Sequence, residues 1–561
     1  RQALCGLAAV VMEQIEGIAV STKGLGLLAV CCWLPSTAAM AQQPPQAGDS
    51  LRILEDHAPA LPAPADPVLQ APTDVPATAP QSDVRIPVQQ FRIEGNRTLP
   101  TDALLAQLAD LEGQTLTLAE LYQAAERLTL YYRQQGYLVS RAYVPAQEIG
   151  EDGVITLAIA EGEYGRVTLD NASRLRDALP AATLSGLEAG DAVKLKPLER
   201  RLLLLNDVPG VRATSSLAAG AKPGQSDLVV ALEDEPLVSG AVTLDTYGNR
   251  HTGAYRLGGE LYLANPLGLG DAFGLSLLGS DEQQLYYQAR YDVPVSPWGT
   301  RAGIVASKMD YELGGDFDDL DATGTADTVG VFVSHPWVRS RTLNLRSTLQ
   351  VDRKDLTDKL FDGLIVTDKT SESVSLGLSG DWRDSLGGGG VNAFSLNWVH
   401  GHLRGDSADL GSYDKLQYSL LRLQRLAGPF SLYAAVQGQV TDGNLDSSEH
   451  LSLGGPYAVR GYPAGEASAD EGIIGTVELR YQWRPQWQFT AFVDGGYARL
   501  ERHPQQDGDY HRNLSSVGVG AQWQPHPQLT LSATSAWRSG EHPTSDTERT
   551  PQVWGRMQWS F

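Results

Sequence analysis

Two short segments of the 561-residue chain contain residues whose types and spacing suggest a specific chemistry. The first is the motif Val459-Arg460-Gly461-Tyr462, which lies in a long polar connection. The second is an alternating stretch whose parity turns Phe492, Asp494 and Gly496 to the same side. The planar guanidinium fork matches a carboxylate in two parallel bonds, and such charge-assisted pairs are strong where water is limited. The sequence therefore predicts that Asp494 receives the arginine of the first motif. The alternative is an exposed turn arginine and an unrelated wall aspartate.

Signatures of catalysis or of a bound cofactor are missing from the sequence. No serine has glycine both two residues before and two residues after it, and no glycine-rich loop ends in Lys-Ser or Lys-Thr. His400 and His402 can present two metal ligands on one strand face, but no carboxylate or third histidine with ligand spacing accompanies them. We favour a histidine pair outside any metal site. The sequence thus predicts no enzyme, no cofactor and no metal.

Strands must position the two motifs. Segments in which apolar and polar residues alternate recur along the chain, from its last residues back to about residue 237. In the last strand, Val553, Met557, Trp559 and Phe561 point one way and polar residues the other, apart from Trp554. Residues 476–483 repeat the pattern. An apolar exterior around a polar interior is what a closed barrel in lipid requires, since the bilayer hydrates no backbone groups.

The predicted fold class is therefore a membrane β-barrel of sixteen antiparallel strands over residues 237–561. Apart from Trp33, every tryptophan lies at or after residue 298, where interfacial girdles place amphipathic rings. Short connections alternate with longer polar ones, which puts both termini on the same side of the membrane. The long connections are predicted at residues 314–324, 353–370, 403–412, 441–472, 501–512 and 540–549. We expect Trp559 and the terminal Phe561 to form the signal that a barrel-assembly machine recognises.

The N-terminal region indicates export. Lys23, the apolar run 24–34 and a small-residue site before Gln42 predict a signal peptide over residues 1–41. All three cysteines precede that cut, so no disulfide is expected. A formal charge of −23 argues against nucleic acid as a partner. No other run is apolar and long enough for a transmembrane helix.

Residues 42–56 contain a short amphipathic segment that is marginal as an isolated helix. Residues 57–83 carry seven prolines and predict an extended linker. At ~3 Å per residue this linker reaches on the order of 80 Å, enough to cross a barrel. A tethered plug-like helix and a disordered spacer are both compatible with this pattern.

Residues 84–162 and 163–236 read as two copies of one α/β unit with the order strand, helix, helix, strand, strand. Thr117 and Glu120 have capping-box spacing, which predicts the start of a helix. That helix places a single apolar stripe on one face, which predicts packing against a sheet. The stripe consists of Leu121, Ala124, Ala125, Leu128 and Tyr132.

The two units resemble polypeptide-transport-associated domains, called POTRA domains, which precede a barrel in periplasmic transport machines. In the first unit the resemblance runs from residue 131 to residue 162. We interpret this region as the client-binding part, because sheet edges can receive an extended strand by β-augmentation. Its key residues are Gly136, Tyr137, Pro145, Gln147, Glu161 and Gly162. The alternative is a pair of spacers.

The arginine motif and the terminal Phe561 extend the resemblance to nearly the whole chain. The protein resembles the outer-membrane transporters of two-partner secretion (type V), the haemolysin or filamentous-haemagglutinin secretion type. That resemblance implies that the sixth surface loop folds into the barrel and that its arginine pairs with Asp494. It also implies POTRA domains in the periplasm of a Gram-negative bacterium and a large secreted partner that passes unfolded to the surface. The expected partners are that client, the barrel-assembly machinery and outer-membrane lipid.

Three alternatives compete with this interpretation. An assembly factor for other barrels belongs to the same superfamily, but such machines usually carry more POTRA units. A passive porin has no need of two periplasmic modules or an in-folded loop. An enzymatic barrel lacks a nucleophile signature. The sequence does not name the client or its activity.

Overall fold

The computed structural model describes residues 44–55, 69–70, 84–150, 152–222, 224–546 and 549–561. The signal peptide predicted for residues 1–41 and most of the predicted linker lie outside these ranges. Helical segments of the described residues are α1 (Ala47–Glu55), α2 (Thr101–Leu105), α3 (Leu118–Gln134), α4 (Ala178–Leu184) and α5 (Leu195–Asn206), with short 3₁₀ turns at Gly315–Leu320, Leu386–Gly388 and Ser447–Glu449. None of these described helices has the length and apolar character needed to cross a membrane.

The strands before the barrel form small sheets. They are β1 (Leu69–Gln70), β2 (Arg85–Pro87), β3 (Gln90–Glu94), β4 (Thr115–Thr117), β5 (Arg141–Tyr143), β6 (Val154–Ala160), β7 (Glu163–Asn171), β8 (Val211–Ala219) and β9 (Gln225–Asp234). The first module has the sheet order β3-β6-β5 and the second the order β1-β8-β9-β7. In each module a parallel pair and an antiparallel pair surround the same central strand, so the two modules share one sheet topology.

Helix α3 shows how sequence produces the first module. The Thr117 hydroxyl accepts from the Glu120 backbone N–H at 3.3 Å, and the Glu120 carboxylate accepts from the Thr117 N–H at 2.6 Å, so the predicted capping box is present. All five residues of the predicted stripe are buried. Helix α2 ends at Leu105, and residues 106–113 continue as turns.

The second module is fastened to the short turns at one end of the barrel. Arg339 makes a bidentate ion pair with Asp207, at 2.8 Å and 2.7 Å. Arg200 donates to the carbonyls of Pro336 and Trp337. These contacts fix the module directly on the pore mouth.

Residues 238–560, apart from the undescribed 547–548, form sixteen strands that close into one barrel. They are β10 (Val238–Asp245), β11 (Arg256–Ala264), β12 (Ala272–Ser280), β13 (Leu285–Pro294), β14 (Arg301–Glu312), β15 (Thr323–Arg339), β16 (Leu343–Leu360), β17 (Ile365–Asp384), β18 (Gly390–Gly405), β19 (Gly411–Arg425), β20 (Phe430–Thr441), β23 (Glu471–Arg484), β24 (Trp487–Arg499), β25 (His511–His526), β26 (Leu529–Arg538) and β27 (Gln552–Ser560). Two further short strands, β21 (Leu451–Ser452) and β22 (Ser468–Ala469), pair with each other and are not members of this ring.

The predicted parity of the strands is confirmed. On β24, Phe489, Val493 and Tyr497 face outward and are exposed, whereas Phe492 and Asp494 face the lumen and are buried. Strand β27 closes the ring by pairing with β10, from Ala241 opposite Ser560 to Asp245 opposite Arg556.

The predicted long connection at residues 353–370 is wrong. Strands β16 and β17 continue through it and remain paired up to Leu360 opposite Ile365. Residues 353–370 carry polar side chains on both faces, a pattern that favours a loop over a strand in lipid. Cross-strand polar pairs support the extended hairpin instead, since Thr370 and Thr357 each donate to an aspartate of the neighbouring strand at 2.7 Å. Strand β15 passes through a bulge between Pro336 and Val338 and ends at Arg339, so its connection to β16 is short.

Candidate functional site

The connection between β20 and β23, residues 442–470 and here called loop 6, folds into the lumen and is buried along much of its length. At its tip, Val459 and Tyr462 are fully buried within an apolar cluster that includes Leu453, Ile474 and Leu514. The Tyr462 hydroxyl donates to the carbonyl of Glu541 at 2.7 Å. The loop tip is therefore a packed part of the lumen.

Arg460 and Asp494 form the predicted pair. Nε and Nη2 of Arg460 donate to the two carboxylate oxygens of Asp494 at 2.9 Å and 2.7 Å, and the Arg460 backbone N–H donates to the same carboxylate at 3.1 Å. Hydroxyls of Thr476 and Ser516 also donate to Asp494, which is completely buried. Both oxygens of this buried carboxylate are therefore hydrogen-bonded, which offsets the cost of removing it from water.

The neighbouring motif residues provide the space and the surface for this pair. The Arg460 guanidinium lies 3.4 Å from the ring centre of Phe492, a cation–π contact. A Cβ at Gly496 would meet Val459 at 3.1 Å, and a Cβ at Gly461 would meet Ser516 at 2.6 Å. Glycine is required at position 461 because the loop backbone presses against the barrel wall there.

Two lumenal residues complete the site and were not predicted. Glu478 accepts from Nη1 of Arg460 at 2.6 Å, so the guanidinium binds two carboxylates. The Trp554 indole N–H donates to the Arg460 carbonyl at 2.8 Å. The sequence contained a signal for Trp554, because it is an aromatic residue on the otherwise polar face of the last strand. Glu478 lay on the predicted polar face of its strand, but nothing in the sequence connects it with residue 460.

The base of loop 6 is held by lysines of the barrel wall. Glu449 lies between Lys354 and Lys415, with N–O distances of 2.8 Å and 2.7 Å. Asp446 accepts from Lys369 at 2.8 Å. These ion pairs are buried and were not predicted, because four separate segments contribute to them.

Helix α1 lies inside the barrel against this base. The Ala47 N–H donates to Asp358 of β16 at 2.7 Å, and Nε of Arg52 donates to the His450 carbonyl at 3.1 Å. The Ser468 hydroxyl donates to Asp49 at 3.0 Å. Leu51 is fully buried in an apolar cluster with Met309 and other wall residues. Most of these partners belong to loop 6 or to β14–β16, so the lumen supplies the contacts that a nine-residue helix lacks by itself.

The helix and the loop border a pocket in the lumen. A cavity of about 290 Å³ lies there, and Arg52, Ile53, Tyr247 and Tyr457 are among its lining residues. In this arrangement α1 and loop 6 together obstruct the pore.

The region predicted to bind a client in the first module makes mainly internal contacts. Glu161 is buried and accepts from Thr98, Arg97 and the Tyr132 hydroxyl. Burial acts to raise the pKa of Glu161, but the hydrogen bonds from Thr98 and Arg97 outweigh it and leave the pKa below its ordinary value. This carboxylate therefore stabilises the module.

The other predicted residues of that region lie near the junction of the two modules or along the sheet edge. The Gly136 carbonyl accepts from the Leu195 N–H at 2.8 Å, Tyr137 forms a bridge with Lys194, and the Gly162 carbonyl accepts from the Val193 N–H at 3.0 Å. The Gln147 side chain exchanges two hydrogen bonds with the backbone of Thr156, at 2.8 Å and 2.9 Å. The Pro145 carbonyl contacts this Gln147 side chain at 3.4 Å. Their predicted role toward a client remains a prediction.

The remaining predicted residues lie on the barrel wall. His400 contacts Asp414 at 3.2 Å and His402 contacts Ser412 at 3.0 Å, both at exposed positions. Within the described residues no cluster of three or more potential metal ligands occurs. Phe561 exchanges two backbone hydrogen bonds of 2.9 Å with Gly240 at the seam, and Trp559 faces outward.

A closed barrel with an apolar exterior, an in-folded loop and two preceding α/β modules, the second of them bound at its mouth, defines an outer-membrane transporter with POTRA domains. Comparison of the sequence with known protein families gives the same class. Residues 224–523 match the family described as haemolysin secretion/activation protein ShlB/FhaC/HecB, and residues 86–162 match the ShlB-type POTRA domain. The chain belongs to this ShlB/FhaC/HecB family.

Individual relatives support the same conclusion. The chain is 31% identical to the heme/hemopexin transporter protein HuxB of Haemophilus influenzae, over 86% of this chain and 90% of the relative. It is 26% identical to the outer membrane transporter CdiB of Dickeya dadantii, over 75% of this chain and 77% of the relative. The solved structure of CdiB from Escherichia coli shares the fold, with a TM-score of 0.68 at 21% identity, over 88% of this chain and 93% of that structure. The protein is thus an outer-membrane transporter of two-partner secretion, with its POTRA domains in the periplasm.

Proposed function

We propose that the periplasmic modules capture one large secreted partner while it is unfolded, and that the barrel passes it to the cell surface. The observation that carries this proposal is the position of the second module. It is bound to the pore mouth by Arg339, Asp207 and Arg200, so a captured chain is delivered directly to the lumen.

The resting lumen also fits a regulated protein channel better than a porin. Helix α1 and loop 6 both lie inside it, and their contacts with the wall and with each other stand in the path of a polypeptide. Transport therefore requires at least α1 to move. The proposal includes no catalytic step, cofactor or metal, and folding of the client outside the cell biases the movement.

The test is deletion of residues 84–162 from the full chain. We expect export of the client to be lost while a folded, conducting barrel remains, because the barrel strands close on one another without this module. The client used in the test is a large exported protein encoded next to this gene. Barrel assembly is checked by heat-modifiable migration and by conductance in planar bilayers. Continued export would show that the first module is a spacer and that capture falls to the second module alone.

We also propose that the barrel-assembly machinery recognises the last strand. Strand β27 has alternating faces and is followed by Phe561, whose backbone bonds with Gly240 complete the seam. Phe561→Asp is expected to lower the amount of assembled barrel, whereas Leu364→Asp, at an exposed position in a surface turn, serves as the control. Equal amounts of assembled barrel in the two variants would contradict this part of the proposal.

A further inference from the structure

The two POTRA modules differ at the sheet edge where an extended strand can be added. In the first module the edge strand is β5, which has only three residues. The outward N–H of Ala142 donates to the buried Thr129 hydroxyl at 3.0 Å. Beyond the end of β5, the Gln147 side chain accepts a hydrogen bond from the Thr156 N–H of the neighbouring strand β6. Side chains of the module itself therefore close this edge.

In the second module the corresponding edge strand, β8, has nine residues. Asn206 hydrogen-bonds both the N–H and the carbonyl of Ala213, at 2.9 Å and 3.0 Å. Past this point β1 pairs with the edge in parallel, with Leu69 opposite Ser215 and Gln70 opposite Ser216.

This added strand comes from the Pro-rich linker that follows α1. Pro67 precedes it and Pro72 follows it. Proline has no N–H to donate to a β-ladder, so pairing cannot extend far on either side of Leu69 and Gln70. The sequence thus limits β1 to a few hydrogen bonds, and a longer strand without proline would pair with more of the edge, including Leu217 and Ala219.

We propose that the edge of β8 is a docking site for an extended segment of the client, and that β1 occupies this site until the client replaces it. Both strands use the same backbone groups at Ser215 and Ser216, so the two cannot bind together. The displaced segment leads after thirteen residues to the end of α1 at Glu55. Docking therefore frees the segment that connects the second module with the helix in the lumen. This inference rests on the proposed capture of a client by the periplasmic modules.

The first experiment locks β1 in place in the full chain. Leu69→Cys with Ser215→Cys, joined by a disulfide, keeps β1 on the edge, and reduction of the same sample releases it. Leu69→Cys alone is the control. The probe is the unfolded N-terminal part of the client encoded beside this gene. We expect the oxidised double variant to lose at least tenfold in affinity for the probe, and reduction to restore it.

The second experiment weakens β1. Leu69→Pro with Gln70→Pro removes the backbone donor that β1 gives to β8, and it is expected to raise affinity for the probe about threefold to tenfold, as expected for the loss of a competing hydrogen bond. Ala77→Pro with Thr78→Pro in the same linker is the matched control and should leave affinity unchanged.

The outcomes separate this inference from the function on which it rests. Equal binding by the oxidised and reduced double variant would show that client and linker do not share the edge, and would leave client capture intact. Failure of every form, including the unmodified protein, to bind the probe would overturn the proposed capture and this inference with it.

Discussion

Two elements fill the lumen of this barrel, the tip of loop 6 and helix α1, and they are held in different ways. The tip binds the wall through Arg460, which contacts Asp494 and Glu478, and it belongs to a loop joined to barrel strands at both ends. Helix α1 binds partly to the loop itself, through His450 and Ser468, and is joined to the rest of the protein at its C-terminal side by the Pro-rich linker.

The difference indicates which element moves. Removing one partner of a buried ion pair costs roughly 3–5 kcal/mol, since it leaves a charge without compensation. A nine-residue helix is marginal in water, and the burial of Leu51 contributes only about 1.5–3 kcal/mol. We therefore infer that the tip of loop 6 is a fixed part of the pore and that α1 is the removable part. The following predictions test this contrast, from the largest expected effect to the smallest.

Breaking the anchor of the tip is expected to have the largest effect. Arg460→Ala and Asp494→Ala should each reduce export of the client at least tenfold, because each leaves the partner charge buried and unpaired. Surface client is measured against the amount of heat-modifiable barrel. The double variant should be no worse than either single variant, since both remove the same interaction. Additive losses would contradict the pairing.

Removing the helix should open the pore without stopping export. Deletion of residues 44–55 is expected to raise conductance in planar bilayers several-fold, because the deleted segment occupies the lumen. Export should stay within about twofold of the unmodified protein, since the fixed tip remains in place. Unchanged conductance would mean that α1 does not limit the water path.

Loosening the helix should have a partial effect. A Cβ at Gly48 would lie 2.3 Å from both Ser447 Oγ and Ser448 N, so Gly48→Val should push α1 away from the base of loop 6. We expect conductance between that of the unmodified protein and that of the deletion. Gly443→Val is the matched control, because a Cβ at Gly443 meets nothing within 4 Å. The same conductance in both variants would show that this contact does not hold the helix.

Removing a single neutral hydrogen bond from the tip should have the smallest effect. Trp554→Phe keeps an aromatic ring but loses the indole donor to the Arg460 carbonyl, a change of about 1 kcal/mol. Export should remain within twofold, and hydrogen exchange of residues 457–463 should become faster. A loss of export as large as that of Arg460→Ala would mean that Trp554, rather than the ion pair, is the main anchor.

Much of this architecture could be predicted because its signals are local. Alternation along each strand determines which residues face lipid, so the inward position of Asp494 followed from its own strand. The capping box at Thr117 and the stripe of α3 likewise need only neighbouring residues. The pairing of Arg460 with Asp494 was predictable because a buried carboxylate in a barrel wall requires a cation and a distinctive motif supplied one.

Only the tertiary structure decided the contacts between segments that are distant in sequence. The approach of Glu478 and Trp554 to Arg460, the lysines around Glu449 and the contact of Gly48 with loop 6 depend on how the loop folds inside the closed barrel. The pairing of Leu69 and Gln70 with β8 was likewise invisible in the sequence, because two residues between prolines show no strand pattern. Alternation specifies which face of a strand is inside, but barrel closure and the path of the chain through the lumen determine which inward residues meet.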